Sequence, residues 1–281
     1  MKREWTSRRR FLKGGLVVSA AGLAGCAGAG SAGTSTPSNP VFEETSISGS
    51  DLVVDLQEDN EVDKVNLIAP DGSGFLSTGV AAGATTVRFS LFQHRVMSHY
   101  TPGEHVLVAI AADEELASIP LELAPKLEIT DVEPYMGGRE TLSNRGNLLV
   151  TAKNLGTGPT WMYFLGYEDA PNSSATIFPS TEYVQTTPHH NFRQPETEQE
   201  FIIEPGESRT LLGRQPPLHP GQDHCDGRTV EFSAVILTGV GDDVRRPLQA
   251  TLGTEQSTEN AKEICSEIEI ELLDEIEAAD G

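Results

Sequence analysis

Residues 101–110 read Thr-Pro-Gly-Glu-His-Val-Leu-Val-Ala-Ile, a turn signal followed by an alternating apolar run. Val106, Val108 and Ile110 recur at every second position, which is the spacing of side chains on one face of a half-buried β-strand. Several more short alternating runs, separated by turns rich in Gly and Pro, occur between residues 47 and 124. Their alternating apolar positions are Leu52, Val54, Leu56, Val87, Phe89 and Leu91. This pattern predicts an all-β fold.

A second β-rich unit begins near Pro125. Residues 146–158 alternate in the same way and end in the Gly-rich turn Asn-Leu-Gly-Thr-Gly. The last apolar stretch fits either a helical stripe over 261–276 or a strand over about 266–273, and the position of Ile270 favours the strand. The other predicted strands of this unit lie at about 199–204, 208–213, 228–238 and 246–252.

Two short segments carry a resemblance to known folds. The segment Pro102–Val108 resembles the closing strands of immunoglobulin-like extracellular modules, and residues 146–167 are similar to the start of cell-adhesion-related (CARDB-like) sandwich domains. The resemblance implies two immunoglobulin-like β-sandwiches in series, at 47–124 and 125–281. Such sandwiches host many unrelated roles, so no activity follows from it.

The N-terminus has the three parts of an export signal. A basic segment, Ser7–Lys13, precedes a weakly apolar run from Gly14 to Leu23 that is too short to span a bilayer. The basic segment resembles the twin-arginine export motif, and Leu23-Ala-Gly-Cys26 resembles a lipobox. This resemblance implies a signal peptide over 1–25, lipid attachment at Cys26 and a place on the outer face of the cytoplasmic membrane. The matching export residues are Arg8, Arg9, Phe11, Leu12 and Lys13.

Residues 26–46 are rich in Gly, Ser, Thr and Pro and contain few apolar residues. This composition is typical of flexible linkers. The sequence therefore predicts a tether at 26–46 that carries the first sandwich away from the membrane. Membrane lipid, attached through Cys26, is the first predicted partner of the chain.

The charge balance excludes one class of partner. The first 25 residues hold six of the 20 basic residues and one of the 42 acidic residues, which leaves 14 against 41 and a net charge of -27. Nucleic-acid binding relies on Lys and Arg that neutralise phosphates, so it is not expected. The balance resembles secreted proteins of halophilic archaea. Salt near 1 M shortens the Debye length to about 3 Å, so we expect folding to require high salt.

Two cysteines remain once Cys26 is set aside. Cys225 and Cys265 form an even pair, and in an oxidising extracellular setting such a pair predicts a disulfide. A metal site that includes His219 and His224 is the alternative. It lacks the close ligand spacing of known zinc sites, and bridged cysteines cannot bind a metal.

Residues 169–198 form a polar stretch longer than most loops, and we refer to this segment as the excursion. It is predicted either to be disordered or to contact a surface protein or glycan through its aromatic and basic residues. It also contains an N-glycosylation sequon at Asn172. The predicted contact residues are Tyr183, His189, His190, Phe192 and Arg193.

The remaining polar clusters favour no chemistry. The acidic run from Asp55 to Asp63 lacks the order of a calcium loop and is expected to be a solvated turn. His94, His99 and His105 are expected to be surface or partly buried residues. Sequence motifs of hydrolases, metalloproteases and nucleotide-binding enzymes are absent. We therefore predict no catalytic residues, no metal and no cofactor.

These observations predict a non-enzymatic, lipid-anchored structural or interaction module on the cell surface. The alternative is an accessory lipoprotein that binds a metal or a solute for a membrane transporter or a redox partner.

Overall fold

Short antiparallel strands make up most of the structure. The computed structural model describes residues 40–92, 99–135, 146–178, 202–218, 226–254, 256–259, 262–265 and 267–273, with the backbone alone for 256–259 and 262–265. The regular secondary structure of the described residues consists of β-strands and one short 3-10 helix at Ser173–Thr176. This confirms the predicted all-β class. Among the described residues, no helix has the length and apolar character needed to cross a bilayer.

The first sandwich consists of two sheets, with strand orders β1-β2-β5 and β4-β3-β6-β7. All of their pairings are antiparallel. The strands are β1 Phe42–Ser48, β2 Asp51–Leu56, β3 Lys64–Ile68, β4 Gly74–Gly79, β5 Thr86–Ser90, β6 Gly103–Ala111 and β7 Glu114–Leu123.

The second sandwich repeats this arrangement. Its sheets have the orders β8-β9-β12 and β11-β10-β13-β14-β17, so each of its first seven strands occupies the place of the strand seven positions earlier. The strands are β8 Leu127–Pro134, β9 Leu148–Asn154, β10 Thr160–Glu168, β11 Ile202–Ile203, β12 Ser208–Leu212, β13 Thr229–Thr238, β14 Val244–Leu252, β15 Gln256–Glu259, β16 Lys262–Cys265 and β17 Ile268–Leu272. Two immunoglobulin-like sandwiches therefore follow each other along the chain.

Each sandwich encloses its own apolar core. Leu52 and Val54 of β2 meet Val65 and Leu67 of β3 between the two sheets of the first sandwich. In the second sandwich, residues of β9, β10, β13 and β14 are buried together between the sheets. Burying one such aliphatic side chain contributes about 1.5–3 kcal/mol, so each sandwich has its own source of stability.

The buried face of β6 is not the face that carries Val106, Val108 and Ile110. His105, Leu107 and Ala109 are fully buried, whereas Val106 and Val108 are only half-buried. The strand is apolar on both faces, so periodicity alone does not indicate which face meets the core. His105, expected at or near the surface, is therefore a core residue.

The predicted tether ends earlier than expected. Strand β1 begins at Phe42, whose side chain is buried, and it pairs with β2 through Ser48. Residues 42–46 thus belong to the first sandwich rather than to the tether. The polar composition of the strand misled the prediction, because its outward positions carry Glu43 and Glu44 and its inward face is short.

The C-terminal apolar stretch is a strand, as the position of Ile270 indicated. Strand β17 pairs in antiparallel fashion with β14, with Ile270 opposite Ala250. Ile268, Ile270 and Leu272 pack against the second core. Strand β17 therefore adds one strand, next to β14, to the seven-strand arrangement that the two sandwiches share.

Candidate functional site: the junction between the sandwiches

The linker between the sandwiches, Ala124–Lys126, is hydrogen-bonded along its length to the turn between β9 and β10. Ala124 N donates to Thr157 Oγ1 (3.1 Å) and its carbonyl accepts from Thr157 N (2.8 Å). Lys126 N donates to Asn154 Oδ1 (3.2 Å) and its carbonyl accepts from Leu155 N (2.7 Å). The linker is therefore held at both ends by the second sandwich.

Asn154 is the centre of this arrangement. Its side chain is fully buried, and its amide nitrogen donates to the carbonyls of Gly158 (2.8 Å) and Ile203 (3.1 Å). Its amide oxygen accepts from the backbone nitrogens of Lys126 and Gly156. A buried polar group is stable only when it is hydrogen-bonded, and this one uses both of its polar atoms to fix the turn against the linker.

Two glycines allow the turn to approach the first sandwich closely. A Cβ atom on Gly156 would collide with the backbone of Ala124 and Lys126, and one on Gly158 would collide with the hydroxyl of Tyr100. Because two of these neighbours are backbone atoms, they cannot move aside by changing rotamer. The close approach therefore requires residues without a side chain.

Tyr100 connects the two sandwiches directly. It lies just before β6, is fully buried, and its hydroxyl donates to the carbonyl of Pro159 in the second sandwich (2.6 Å). In immunoglobulin-like domains a tyrosine at this corner usually bonds to the backbone of its own domain. Here the same position bonds to the next domain. Burial raises the pKa of the Tyr100 hydroxyl, which keeps it protonated as the donor.

A second polar contact lies elsewhere on the junction. Gly49, in the turn between β1 and β2, donates its backbone N–H to Glu204 Oε1 (2.8 Å). Glu204 N in turn donates to Glu207 Oε2 (3.1 Å), and the Glu207 carboxylate pairs with Arg209 (2.7 Å). The turn between β11 and β12 is thus fixed at the position where it meets the first sandwich.

Apolar packing completes the junction. Val240, in the turn between β13 and β14 of the second sandwich, is 2% exposed and belongs to the core of the first sandwich. Trp161 packs against the same core. Gly239 donates to the Trp161 carbonyl (2.9 Å), and a Cβ atom at Gly239 would collide with the indole ring. The hydroxyl of Thr160 donates to the carbonyl of Val240 (2.7 Å).

A cleft of about 250 Å³ lies beside the linker. Its charged side chains belong to Lys126, Asp242, Asp243 and Arg245. Asp243 accepts from the backbone nitrogen of Thr238 (2.9 Å), and Arg245 pairs with a glutamate outside the cleft. Asp243 and Arg245 therefore already have partners within the fold, and the cleft is lined by both the linker and the turn between β13 and β14.

Most sequence-predicted site residues lie outside the described part of the chain. These are the export residues Arg8, Arg9, Phe11, Leu12 and Lys13, the lipid site Cys26, the contact residues Tyr183, His189, His190, Phe192 and Arg193, and Cys225. The backbone of Cys265 lies in β16 opposite Gln256, and its side chain is not described. The disulfide between Cys225 and Cys265 stays a prediction.

The described beginning of the excursion, residues 169–178, packs onto the second sandwich. Ala175 belongs to its core, and the ring of Phe178 lies 5.3 Å from that of Phe164 on β10. Asn172 caps the 3-10 helix by accepting from Ser174 N (3.1 Å), and its amide nitrogen donates to the carbonyl of Pro216 (2.7 Å). The sequon asparagine therefore holds two loops together, and its glycosylation stays a prediction.

The acidic run between β2 and β3 is an ordered turn. Asn60 donates to the carbonyls of Gln57 (2.9 Å) and Ala84 (3.3 Å), and Asp63 accepts from the backbone nitrogen of Ala112 (2.7 Å). Within the ranges that the structure describes, no group of three or more His, Cys, Asp or Glu side chains is placed to hold a metal ion.

Sequence reasoning did not find the junction residues Tyr100, Asn154 and Glu204. The segment 154–158 did carry a signal, because its two glycines marked a turn. Nothing in the sequence showed that this turn meets Tyr100, which lies more than 50 residues earlier in the chain.

No family model matches this chain, and no curated protein matches it. Among solved structures it is similar to a glycosyl hydrolase family 2 member from Bacteroides cellulosilyticus DSM 14838, at 11% identity and TM-score 0.21, covering 71% of this chain and 24% of that one. It is also similar to a β-glucuronidase from glycoside hydrolase family 2, at 10% identity and TM-score 0.23. That match covers 79% of this chain and 21% of the β-glucuronidase. A third match is a segment of two fibronectin type-III domains from chicken tenascin, at 8% identity and TM-score 0.25. It covers 74% of this chain and 98% of the tenascin segment.

The chain thus spans less than a quarter of the length of the two glycosidases. With TM-scores this low, these likenesses carry no argument about activity. The assignment of the fold depends on the strand order of the chain itself.

Proposed function

We propose that this protein is a rigid, non-enzymatic structural module that is lipid-anchored through Cys26 on the outer face of the cytoplasmic membrane. The observation that carries the proposal is the junction, where the linker, Tyr100 and Val240 each join one sandwich to the other. A module of this kind holds a partner that is bound to one sandwich at a fixed distance and orientation relative to the other sandwich.

The energetics of the junction support rigidity. Each buried hydrogen bond contributes on the order of 0.5–1.5 kcal/mol, and burial of a side chain such as Val240 contributes about 1.5–3 kcal/mol. Domain interfaces with few contacts permit relative motion, whereas this one combines backbone hydrogen bonds, a buried tyrosine and a shared core residue. Two sandwiches joined in this way are expected to tumble as one body.

The membrane anchor and the halophilic setting rest on the sequence. The lipobox-like Leu23–Cys26 supports lipid attachment, and the net charge of -27 after removal of residues 1–25 supports function at high salt. In this proposal the excursion provides the contact with a surface protein or glycan, because loops on a rigid scaffold commonly carry binding residues.

Nuclear spin relaxation tests rigidity directly. The rotational correlation time of each sandwich is measured from backbone amide relaxation of the chain in concentrated salt. We expect the same correlation time and the same diffusion tensor for both sandwiches. A control variant with three Gly-Ser pairs inserted between Pro125 and Lys126 is expected to show two shorter times. Independent tumbling of the sandwiches in the wild-type chain would refute the proposal.

The anchor is tested by intact mass. The non-reduced protein is extracted from its own membrane at high salt and compared with a Cys26→Ser variant. A chain that begins at Cys26 with an added lipid mass, and loss of both features in the variant, is expected. A wild-type chain that begins elsewhere without added mass rejects the anchor but leaves the rigid junction in place.

A further inference from the structure

His105 is buried in an environment that suits only its neutral form. Its side chain is fully buried on β6, and its Nδ1 lies 3.0 Å from the carbonyl of Gly103. A carbonyl can only accept, so Nδ1 carries the proton and donates it. The Nε2 atom is then an unprotonated acceptor, and it has no hydrogen-bond partner among the residues that the structure describes. Protonation would therefore create a buried N–H group without an acceptor.

The groups around the ring are mostly apolar. Phe75 of β4 and Tyr100 present their rings at centroid distances of 6.4 Å and 6.0 Å. Leu121 of β7 lies opposite His105 in the strand register. Among the described residues, Glu122 is the carboxylate whose charge favours the protonated ring. Burial lowers the pKa of His105, whereas the hydrogen bond to the Gly103 carbonyl and the charge of Glu122 raise it. Burial is the largest of these effects, so the pKa lies below its ordinary value of 6.5.

The same ring supports the contact between the sandwiches. Tyr100 has His105 on one side and Phe92 on another, at a centroid distance of 6.0 Å. His99, next to it in the chain, is exposed, and its Nδ1 lies 3.2 Å from the Tyr100 carbonyl. Movement of His105 toward water would remove one support of the Tyr100 ring, whose hydroxyl bonds to Pro159.

We propose that His105 makes the junction acid-sensitive: its protonation displaces the ring toward solvent, moves Tyr100 and breaks the hydrogen bond to Pro159, so that the packing around Trp161 at the junction loosens while each sandwich stays folded. The inference rests on the rigid junction proposed above. It adds a condition under which that junction weakens, namely a local pH low enough to protonate a buried imidazole.

Trp161 provides a probe at the right place. The chain contains two tryptophans, Trp5 and Trp161, and Trp161 packs against the core of the first sandwich at the junction. In a full-length chain that carries Trp5→Phe, tryptophan emission reports on the junction alone. Far-UV circular dichroism, measured on the same samples, reports on whether the sandwiches themselves stay folded.

The experiment is a pH titration from 8 to 4 at constant high salt. We expect the Trp161 emission to shift to longer wavelength and acrylamide quenching to increase as the pH falls, with no change in circular dichroism. The midpoint should coincide with the protonation of His105 followed by its imidazole Cε1–H resonance. In His105→Phe, which keeps an aromatic ring but cannot bind a proton, the shift should be absent. His99→Gln, which removes the exposed neighbouring imidazole, should behave like the wild type.

Any of the following results would overturn the inference. The first is an equal emission shift in His105→Phe and in the wild type, and the second is a wild-type shift that occurs together with loss of circular dichroism. The third is a His105 resonance that titrates without any change in emission, or that does not titrate above pH 4. If His105→Phe does not fold, His105→Gln serves as the non-titrating variant. Blue-shifted, poorly quenched emission at pH 8 shows that Trp161 is packed, so a failure of the switch is distinguishable from a failure of the junction.

Discussion

Removal of one hydroxyl group at the junction should have a measurable cost. Tyr100→Phe deletes the donor to the Pro159 carbonyl and leaves that buried acceptor unpaired. A lost hydrogen bond that strands a buried partner costs about 1–3 kcal/mol, and the small volume change adds little. We therefore expect the free energy of unfolding to fall by about 1–2 kcal/mol, and we expect the junction to be destabilised more than the rest of the two sandwiches.

Denaturant unfolding at high salt measures this change. Trp161 emission and far-UV circular dichroism are followed together in Trp5→Phe chains, and in the parent chain the two transitions should coincide. In Tyr100→Phe the emission transition should move to lower denaturant. Tyr163→Phe is the matched control, because Tyr163 is only half-buried and its hydroxyl makes no hydrogen bond among the described residues. This substitution should change the free energy of unfolding by no more than about 0.5 kcal/mol. Equal effects of the two substitutions would refute the assigned role of Tyr100.

Four further predictions follow from the same geometry. Tyr167→Phe should leave the free energy of unfolding unchanged or raise it by up to about 1 kcal/mol in denaturant titrations, because the buried Tyr167 hydroxyl has no hydrogen-bond partner in the described part of the chain. Gly156→Ala should lower it by about 2–4 kcal/mol, whereas Gly74→Ala, with open space around it, should not. Glu204→Ala should cost about 1 kcal/mol in the same assay by removing the acceptor for Gly49 N. Unfolded chains bind a proton at His105 more readily than folded ones, because the pKa of His105 is lowered in the folded state. The free energy of unfolding should therefore fall as the pH drops from 6.5 toward that lowered pKa. Melting temperatures of His105→Phe, measured over the same pH range, should lack the part of the pH dependence that His105 causes.

The strand content could be predicted from local patterns, whereas the arrangement as two sandwiches was implied by the resemblance to immunoglobulin-like modules. Alternation at 52–56 and 87–91 correctly indicated β2 and β5, and the placement of Ile270 correctly indicated a final strand. These predictions succeeded because half-buried strands require alternate apolar residues, which is a property of a few neighbouring positions.

Other features could not be predicted, for physical reasons. The buried face of β6 could not be identified because both of its faces are apolar, and the start of β1 was missed because few of its side chains are buried. The junction depends on contacts between residues far apart in sequence, such as Tyr100 with Pro159 and Gly49 with Glu204. No pattern in the sequence specifies which turn meets which loop once both sandwiches have formed.

The outer edge of the first sandwich has a consequence for behaviour at high concentration. Strand β7 lies at the end of its sheet, so one side of its backbone has no neighbouring strand among the described residues. Such edges can pair with other chains and start fibres. Here Pro120 lacks an N–H group, and Glu114, Glu115 and Glu122 carry charges along the same strand. Crowded copies should consequently not join one another sheet to sheet through β7.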